Sequence, residues 1–405
     1  MLENNELDDF YDEEEINEED NWGGYIIDDP FETAYFGPKL SEWYNRDIVT
    51  LDMQTNPYLR EVEKIGDNVF AGIKSLETII LPKKLKCIGS HAFYGTSIKV
   101  LILPEMFEAI EDEAFVGMKC LESVVFPEEL KCISRAAFKG VRTLKLVAFP
   151  KYLDMIDEDA FANTGLTSIN LSSKSCTEIK EYAFLGSKLS SLTISSDIFG
   201  DSGFRGLDTL KKLEIQQGVE FLGDWTFSET GVTEVIIPSS MKRIDEGLFY
   251  GAELRTILLP DSITVIDNHA FERTKLNDIR IPDSVISIGE SAFDDCKRLT
   301  IAMISKSTQY IGDNAFRNCK NLSRLLVRSL IPPVLQMSYN DRGKIHCFDI
   351  EVAPGVYKLN EKLEICVPME SVELYKTAEG WKEYANNIIG VSDIRLNLAH
   401  PPLFR

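Results

Sequence analysis

The chain has 405 residues, 44% of them apolar, eight cysteines and a net charge of −22. The apolar share is ordinary for a folded protein and leaves room for a sizeable core. An acidic balance argues against nucleic acid as a partner, since binding phosphates needs a basic face, and without any run of 18 apolar residues no membrane span is expected. The charge is uneven: residues 1–32 hold fourteen Asp and Glu and no Lys or Arg, so the other 51 acidic residues face all 43 basic ones.

Taken in chain order, residues 1–21 read as an acidic, disordered tail. The first residues, Met1-Leu2-Glu3-Asn4, offer neither a basic n-region nor an apolar h-region, so no secretory signal is read here. Residues 22–57 bring aromatic side chains, Trp22, Tyr25, Phe31, Tyr35, Phe36, Trp43 and Tyr44. They read as an N-terminal cap that covers the open end of the structure that follows.

From residue 58 to 330 a single unit recurs, and a fixed period decides the fold before any other signal. Its marker is a phenylalanine, at Phe70, Phe93, Phe115, Phe138, Phe161, Phe184, Phe204, Phe227, Phe249, Phe271, Phe293 and Phe316. The spacing is 22 or 23 residues except for one step of 20, from Phe184 to Phe204. Five residues before each Phe stands an apolar residue, from Ile65 and Ile88 to Ile311. Two residues after it comes Gly in seven copies and Asn in two, residues that tolerate a left-handed backbone and so a sharp turn. A strand pattern follows, as in Leu76-Glu77-Thr78-Ile79-Ile80-Leu81-Pro82. Its alternation fits one buried face, and the closing Pro, present in seven copies, stops the pairing. One unit has too little core to fold alone; stacked units bury their Leu, Ile and Phe columns against one another. At roughly 4.8 Å per parallel strand, twelve copies span on the order of 55 Å.

The unit reads apolar, three variable residues, Ala-Phe, x, Gly, then Leu-x-x-Ile-x-Leu-Pro. This resembles the BspA-like type of bacterial leucine-rich repeat over residues 58–330. Val367-Pro368, Ser371, Tyr375-Lys376, Gly380-Trp381 and Ile388 are similar to the terminal module that follows such repeats. The resemblance implies an α/β-type, mostly β solenoid: a right-handed superhelix of about twelve 22–23-residue repeats with a parallel sheet on the concave face. It also implies a cell-surface protein that adheres to other proteins. The missing signal leaves an intracellular structural or regulatory interaction protein, cytoplasmic in place, as the alternative.

Two regions depart from the pattern. Between Leu166 and Gln217 the closing Pro gives way to Ser172, Ser195 and Gln216. With the 20-residue step, this region reads as a local change of curvature, a mild hinge, or as neutral repeat variation. Residues 331–405 lose the period after Pro332-Pro333 and read as a C-terminal cap. There Leu363–Pro368 forms one more strand, and Ser371 to Tyr384 an amphipathic helix broken at Gly380.

Chemistry-bearing motifs are missing. The four histidines, at 91, 269, 346 and 400, are dispersed, and no H-E-x-x-H, G-x-S-x-G or P-loop occurs. Gly200-Asp201-Ser202-Gly203 falls at a repeat turn. The cysteines Cys87, Cys132, Cys296 and Cys319 repeat in columns, as small buried side chains do. The expectation is a non-enzymatic protein without metal or cofactor, bound to a protein partner.

Strand positions two, three and five face solvent in this reading. The fifth position reads Ile80, Ile102, Val125, Ala148, Asn170, Thr193, Glu214, Ile236, Leu258, Arg280, Met303 and Leu326; eight of the twelve are apolar. Val100 and Leu146 add to them at the third position. The candidate partner-binding residues are therefore Ile80, Val100, Ile102, Val125 and Leu146 in one strip, and Ile236, Leu258, Met303 and Leu326 in a second. Plain β-propensity, or cover by residues 22–57, are the alternatives.

Overall fold

The computed structural model describes residues 25–28, 38–171, 178–340 and 343–392. The acidic stretch 1–21 and Trp22, Phe31, Tyr35 and Phe36 lie outside the described residues, as does Ser172 of the middle region.

The described chain is a mostly β parallel solenoid of about fifteen turns. Each repeat contributes the expected strand, such as Thr78–Ile80, Val100–Ile102 and Ser123–Val125. These strands form parallel, in-register segments along the solenoid: Thr50–Asp52 with Thr78–Ile80, Val100–Ile102 with Ser123–Val125 and Leu146–Ala148, and Ser168–Leu171 with Ser191–Ile194 and Lys212–Ile215. Three turns carry no marker Phe of their own. Thr50–Asp52 precedes the first repeat, and Glu364–Pro368 and Ile388–Val391 extend the ladder beyond Arg324–Val327.

A second ladder was not read from the sequence as strand. Two-residue strands such as Lys64–Ile65, Cys87–Ile88 and Ala109–Ile110 pair turn to turn around the apolar position five before each Phe. Two residues are too few to show a period of two, so the pattern registered only as a buried column. This ladder begins with Tyr25–Asp28, antiparallel to Lys39–Trp43, which in turn pairs with Lys64–Ile65. It runs past Pro332-Pro333, where Val334–Leu335 pairs with Tyr310–Ile311.

Between the two ladders the marker phenylalanines stack on each other, all but fully buried. Ring centroids are 4.8 Å apart for Phe115 and Phe138 and 5.2 Å for Phe138 and Phe161, with interplanar angles of 15° and 3°. Trp43 ends the stack 5.6 Å from Phe70. At the other end Phe348 continues from Phe316, with Trp381 5.8 Å beyond it.

The Phe turn holds its backbone in an unexpected way. Besides the Gly or Asn two residues after Phe, the residue two before it has φ between +53° and +61° in all twelve repeats, from Asn68 and His91 to Asn314. Only Gly247 among them lacks a side chain. Left-handed backbone is unfavourable for such residues, and hydrogen bonds between turns offset it. Asn68, Phe70 and Gly72 each donate an N–H to the next turn, at Ser90, Ala92 and Tyr94, over 3.0, 2.9 and 2.7 Å.

Within the middle region the short ladder is lost, while the long ladder is paired through it and broken only at its borders, between Leu146–Ala148 and Ser168–Leu171 and between Lys212–Ile215 and Glu234–Ile236. After Glu178–Ile179 the short ladder keeps a single bridge, Glu178 to Phe199, and resumes as a two-residue strand at Arg243–Ile244. The long ladder continues through Ser168–Leu171, Ser191–Ile194 and Lys212–Ile215. Carboxylates take up amides in the gap. Asp197 accepts the N–H groups of Glu220 and Phe221 at 2.6 and 3.0 Å. Asp245, fully buried, accepts that of Leu222 at 3.4 Å, with Arg243 Nε 2.9 Å from its other oxygen.

Burial pushes the carboxyl of Asp245 up to about 6, as it does for Asp294 beside Arg317. A raised folded-state value means that the unfolded chain releases the proton first, so stability is lost as pH rises from about 4 to about 6. Asp245→Asn is expected to keep the acceptor and remove the buried charge. It should narrow the stability difference between pH 5 and pH 7.5 by about 1.4 kcal/mol in urea titrations; an unchanged difference refutes the assignment.

The C-terminal region turns its polar groups inward onto the last repeats. Trp381 Nε1 donates to Pro333 O at 2.8 Å and the Tyr375 hydroxyl to Ser329 O at 2.9 Å. The helix expected here spans only Val372–Thr377; Gly380, with φ +82°, separates it from a 3-10 turn at Lys382–Asn387.

Candidate protein-binding face

Alternation along each long strand sends the fourth position into the core and the third and fifth out. Ile79, Leu101 and Val124 are buried, whereas Ile80, Ile102 and Val125 are 43, 62 and 48% exposed. The register sets Ile102 beside Val125 and then Ala148, and Val100 and Leu146 on either side of Ser123. The first strip is thus a two-row patch on three paired strands, in which Val100 and Leu146 are 51 and 66% exposed, with Ile80 on the neighbouring strand Thr78–Ile80, which lies beside Val100–Ile102 without ladder pairing. Adjacent side chains there lie about 5 Å apart, close enough for one partner segment to touch several.

The second strip is shorter than expected. Ile236 and Leu258 pair in register and are 74 and 51% exposed. Met303 and Leu326 are corrected: they are 4 and 3% exposed and cluster with Cys366 and Val391, supplied by the two added strands. Four apolar groups on four adjacent strands bury one another there, so this part of the face offers no free apolar surface at those two residues. Between the strips the fifth position is polar, at Thr193 and Glu214. A groove of about 830 Å³ crosses this stretch, running from Ser191 and Lys212 to Ile236 and Leu258.

Cations that the apolar pattern did not point to line one edge of the first strip. Lys74, Lys99, Lys119, Arg142 and Lys145 stand just before their strands, are exposed, and enter no ion pair among the described residues. Only Glu77 and Glu122 oppose them on that edge. The sequence signal was available: a basic residue recurs within two positions of the strand's first Leu, outside the columns that mark the repeat.

Other chemistry-bearing groups are engaged in structure. Ser202 is buried with φ +58°, and Asp201 accepts the Asp224 N–H. Cys296 and Cys319 donate to the carbonyls of Phe271 and Phe293, each at 3.1 Å. Burial pushes the thiols of Cys87 and Cys347 up to about 12, far from the thiolate that reactivity needs. His91 and His269 pair with Glu113 and Glu272, at 3.0 and 2.6 Å. Among the described residues no group of three His, Cys, Asp or Glu is placed to hold a metal ion, and no helix is long and apolar enough to cross a membrane.

The repeat matches the model of the BspA type leucine rich repeat region in six copies, over residues 50–164, 131–253 and 226–346. The chain belongs to this family. Solved structures of such repeats align along most of its length. A leucine-rich repeat protein from Bacteroides ovatus is 21% identical, with a TM-score of 0.50, covering 85% of this chain and 98% of that one. The pneumococcal vaccine antigen PcpA is 17% identical, with a TM-score of 0.42 and coverage of 92% and 96%. A leucine rich cell surface protein from Faecalibacterium prausnitzii is 17% identical, with a TM-score of 0.32 and coverage of 76% and 93%. No curated protein matches the sequence. At 21% identity the likeness to the Bacteroides ovatus protein bears on the fold alone, which in this family is a repeat scaffold suited to protein interaction.

Proposed function

We propose that the chain is a non-enzymatic protein-binding scaffold of the bacterial cell surface, adhesin-like in role, and that it engages its partner through Ile80, Val100, Ile102, Val125 and Leu146. One observation carries this reading: the five side chains are exposed and apolar on neighbouring turns of one face, four of them on three paired strands, at positions where the repeat core asks for nothing apolar. A patch of this kind on a soluble surface marks an interaction site. Ile236 and Leu258, beside the groove, serve as a secondary contact. In this reading residues 1–21 are an acidic tail, 22–57 and 331–405 close the two ends, and 58–330 carry the binding face.

The test is a double substitution, Ile102→Asp with Val125→Asp, in a pull-down from the native environment. Both side chains are exposed, so circular dichroism and thermal midpoint are expected to stay within a few degrees of wild type. Capture of the specific partner is expected to fall at least about tenfold, which corresponds to ~1.4 kcal/mol, while Thr193→Asp leaves it unchanged. Equal capture by the folded double variant refutes the first strip. Surface placement is tested separately by fractionating native cells: recovery of the chain only from the cytosol refutes it.

A further inference from the structure

The charge around the first strip points to what covers it. Lys74, Lys99, Lys119, Arg142 and Lys145 give this edge a positive balance in a chain whose net charge is −22. The edge beyond the closing prolines is balanced, with Lys83, Lys84 and Lys151 against Glu105, Glu128 and Glu129. The second strip has a more mixed rim, Lys211, Lys212 and Arg255 against Glu214, Glu234 and Glu253. The complementary chemistry is an acidic segment with apolar side chains spaced along it, able to seat those side chains on the strip and its carboxylates along the rim. Residues 1–24 have this composition. They hold eleven Asp and Glu and no Lys or Arg, interspersed with Leu7, Phe10, Tyr11, Ile16 and Trp22.

We propose that residues 1–24 of this chain dock in cis on the first strip, covering Val100, Ile102, Val125 and Leu146 against the basic edge. The inference rests on the reading of that strip as a binding surface. Distance permits it. The described chain begins at Tyr25, beside Lys39–Trp43 at the end where the strip lies. Twenty-four residues reach up to about 80 Å when extended, and half of one 23-residue turn spans at most about 40 Å. The four strands of the strip lie within about 15 Å of one another. An outside partner then competes with the tethered segment, and its apparent affinity falls by the fraction of chains in which the strip is open.

The experiment is zero-length carbodiimide cross-linking of the full chain, an equal mixture of unlabelled and ¹⁵N-labelled protein, read by mass spectrometry. Carboxylates between Asp8 and Asp20 are expected to link to Lys99, Lys119 and Lys145 within one isotopic copy, well above their links to Lys83, Lys84 and Lys131. At 1 M salt, where screening acts within about 3 Å, the yield is expected to fall about fivefold. Val100→Asp with Leu146→Asp, both exposed and outside the core, is expected to reduce it similarly. Links spread evenly over surface lysines, links between mixed isotopes, or a yield that ignores both salt and the double substitution overturn the proposal. Absence of these links with intact loss of partner capture in Ile102→Asp, Val125→Asp leaves the strip as a site for an outside partner and removes only the cis occupant.

Discussion

Phe161→Ala is expected to lower the unfolding free energy by about 3–5 kcal/mol. Phe161 is fully buried, with Phe138 5.2 Å away on one side and Phe184 5.5 Å away on the other, both nearly parallel to it. Phe149 meets its ring edge-on at 5.6 Å. Truncation therefore removes two stacking contacts and one edge contact, and opens a cavity that neighbouring turns cannot fill, because each is fixed by its own pair of ladders. A solenoid is held by contacts between adjacent turns, so the loss falls on two interfaces in the middle of the array. The urea transition is expected to shift to lower concentration and to broaden or split, with Trp43 on one side of the break and Trp225 and Trp381 on the other. Phe161→Leu fills much of the space and should recover more than half of the loss. A shift below about 1 kcal/mol for the alanine variant contradicts the stack as the main support of the array.

Gly223→Ala is expected to cost about 3 kcal/mol or more, and Gly72→Ala about 1 kcal/mol, although both glycines have φ +76°. The backbone penalty is common to the two. The difference is space: a Cβ on Gly72 meets nothing within 4 Å, whereas one on Gly223 lies 2.2 Å from the carbonyl oxygen of Gly200. That oxygen belongs to backbone and has no rotamer to give way, so the two turns must separate. The pair thus measures how tightly the chain is drawn together where the 20-residue repeat shortens a turn. Parallel urea titrations of both variants decide it, and equal losses refute the close approach.

The shortened repeat also shows where reading the sequence stopped. The 20-residue step and the lost prolines marked a place of altered geometry. That the short ladder gives way inside this region, with Asp197 and Asp245 taking up backbone amides, depends on which carboxylates meet across turns more than 20 residues apart. Likewise the turn before Phe gave no signal, because Asn, His, Glu, Ala, Tyr and Trp all occupy its left-handed position. The requirement there comes from hydrogen bonds to the next turn, and those constrain backbone without selecting a side chain.

The repeat, the direction in which each strand position faces, and the apolar first strip were determined by the sequence itself. A periodic chain repeats its local energetics, and alternation along a strand fixes inside and outside. Only the tertiary structure decided the fate of Met303 and Leu326. Their strands read like the others, but Glu364–Pro368 and Ile388–Val391 join the ladder beside them and bring Cys366 and Val391 into contact. Burial on a shared face depends on neighbours distant in sequence, and no residue's own periodicity records it.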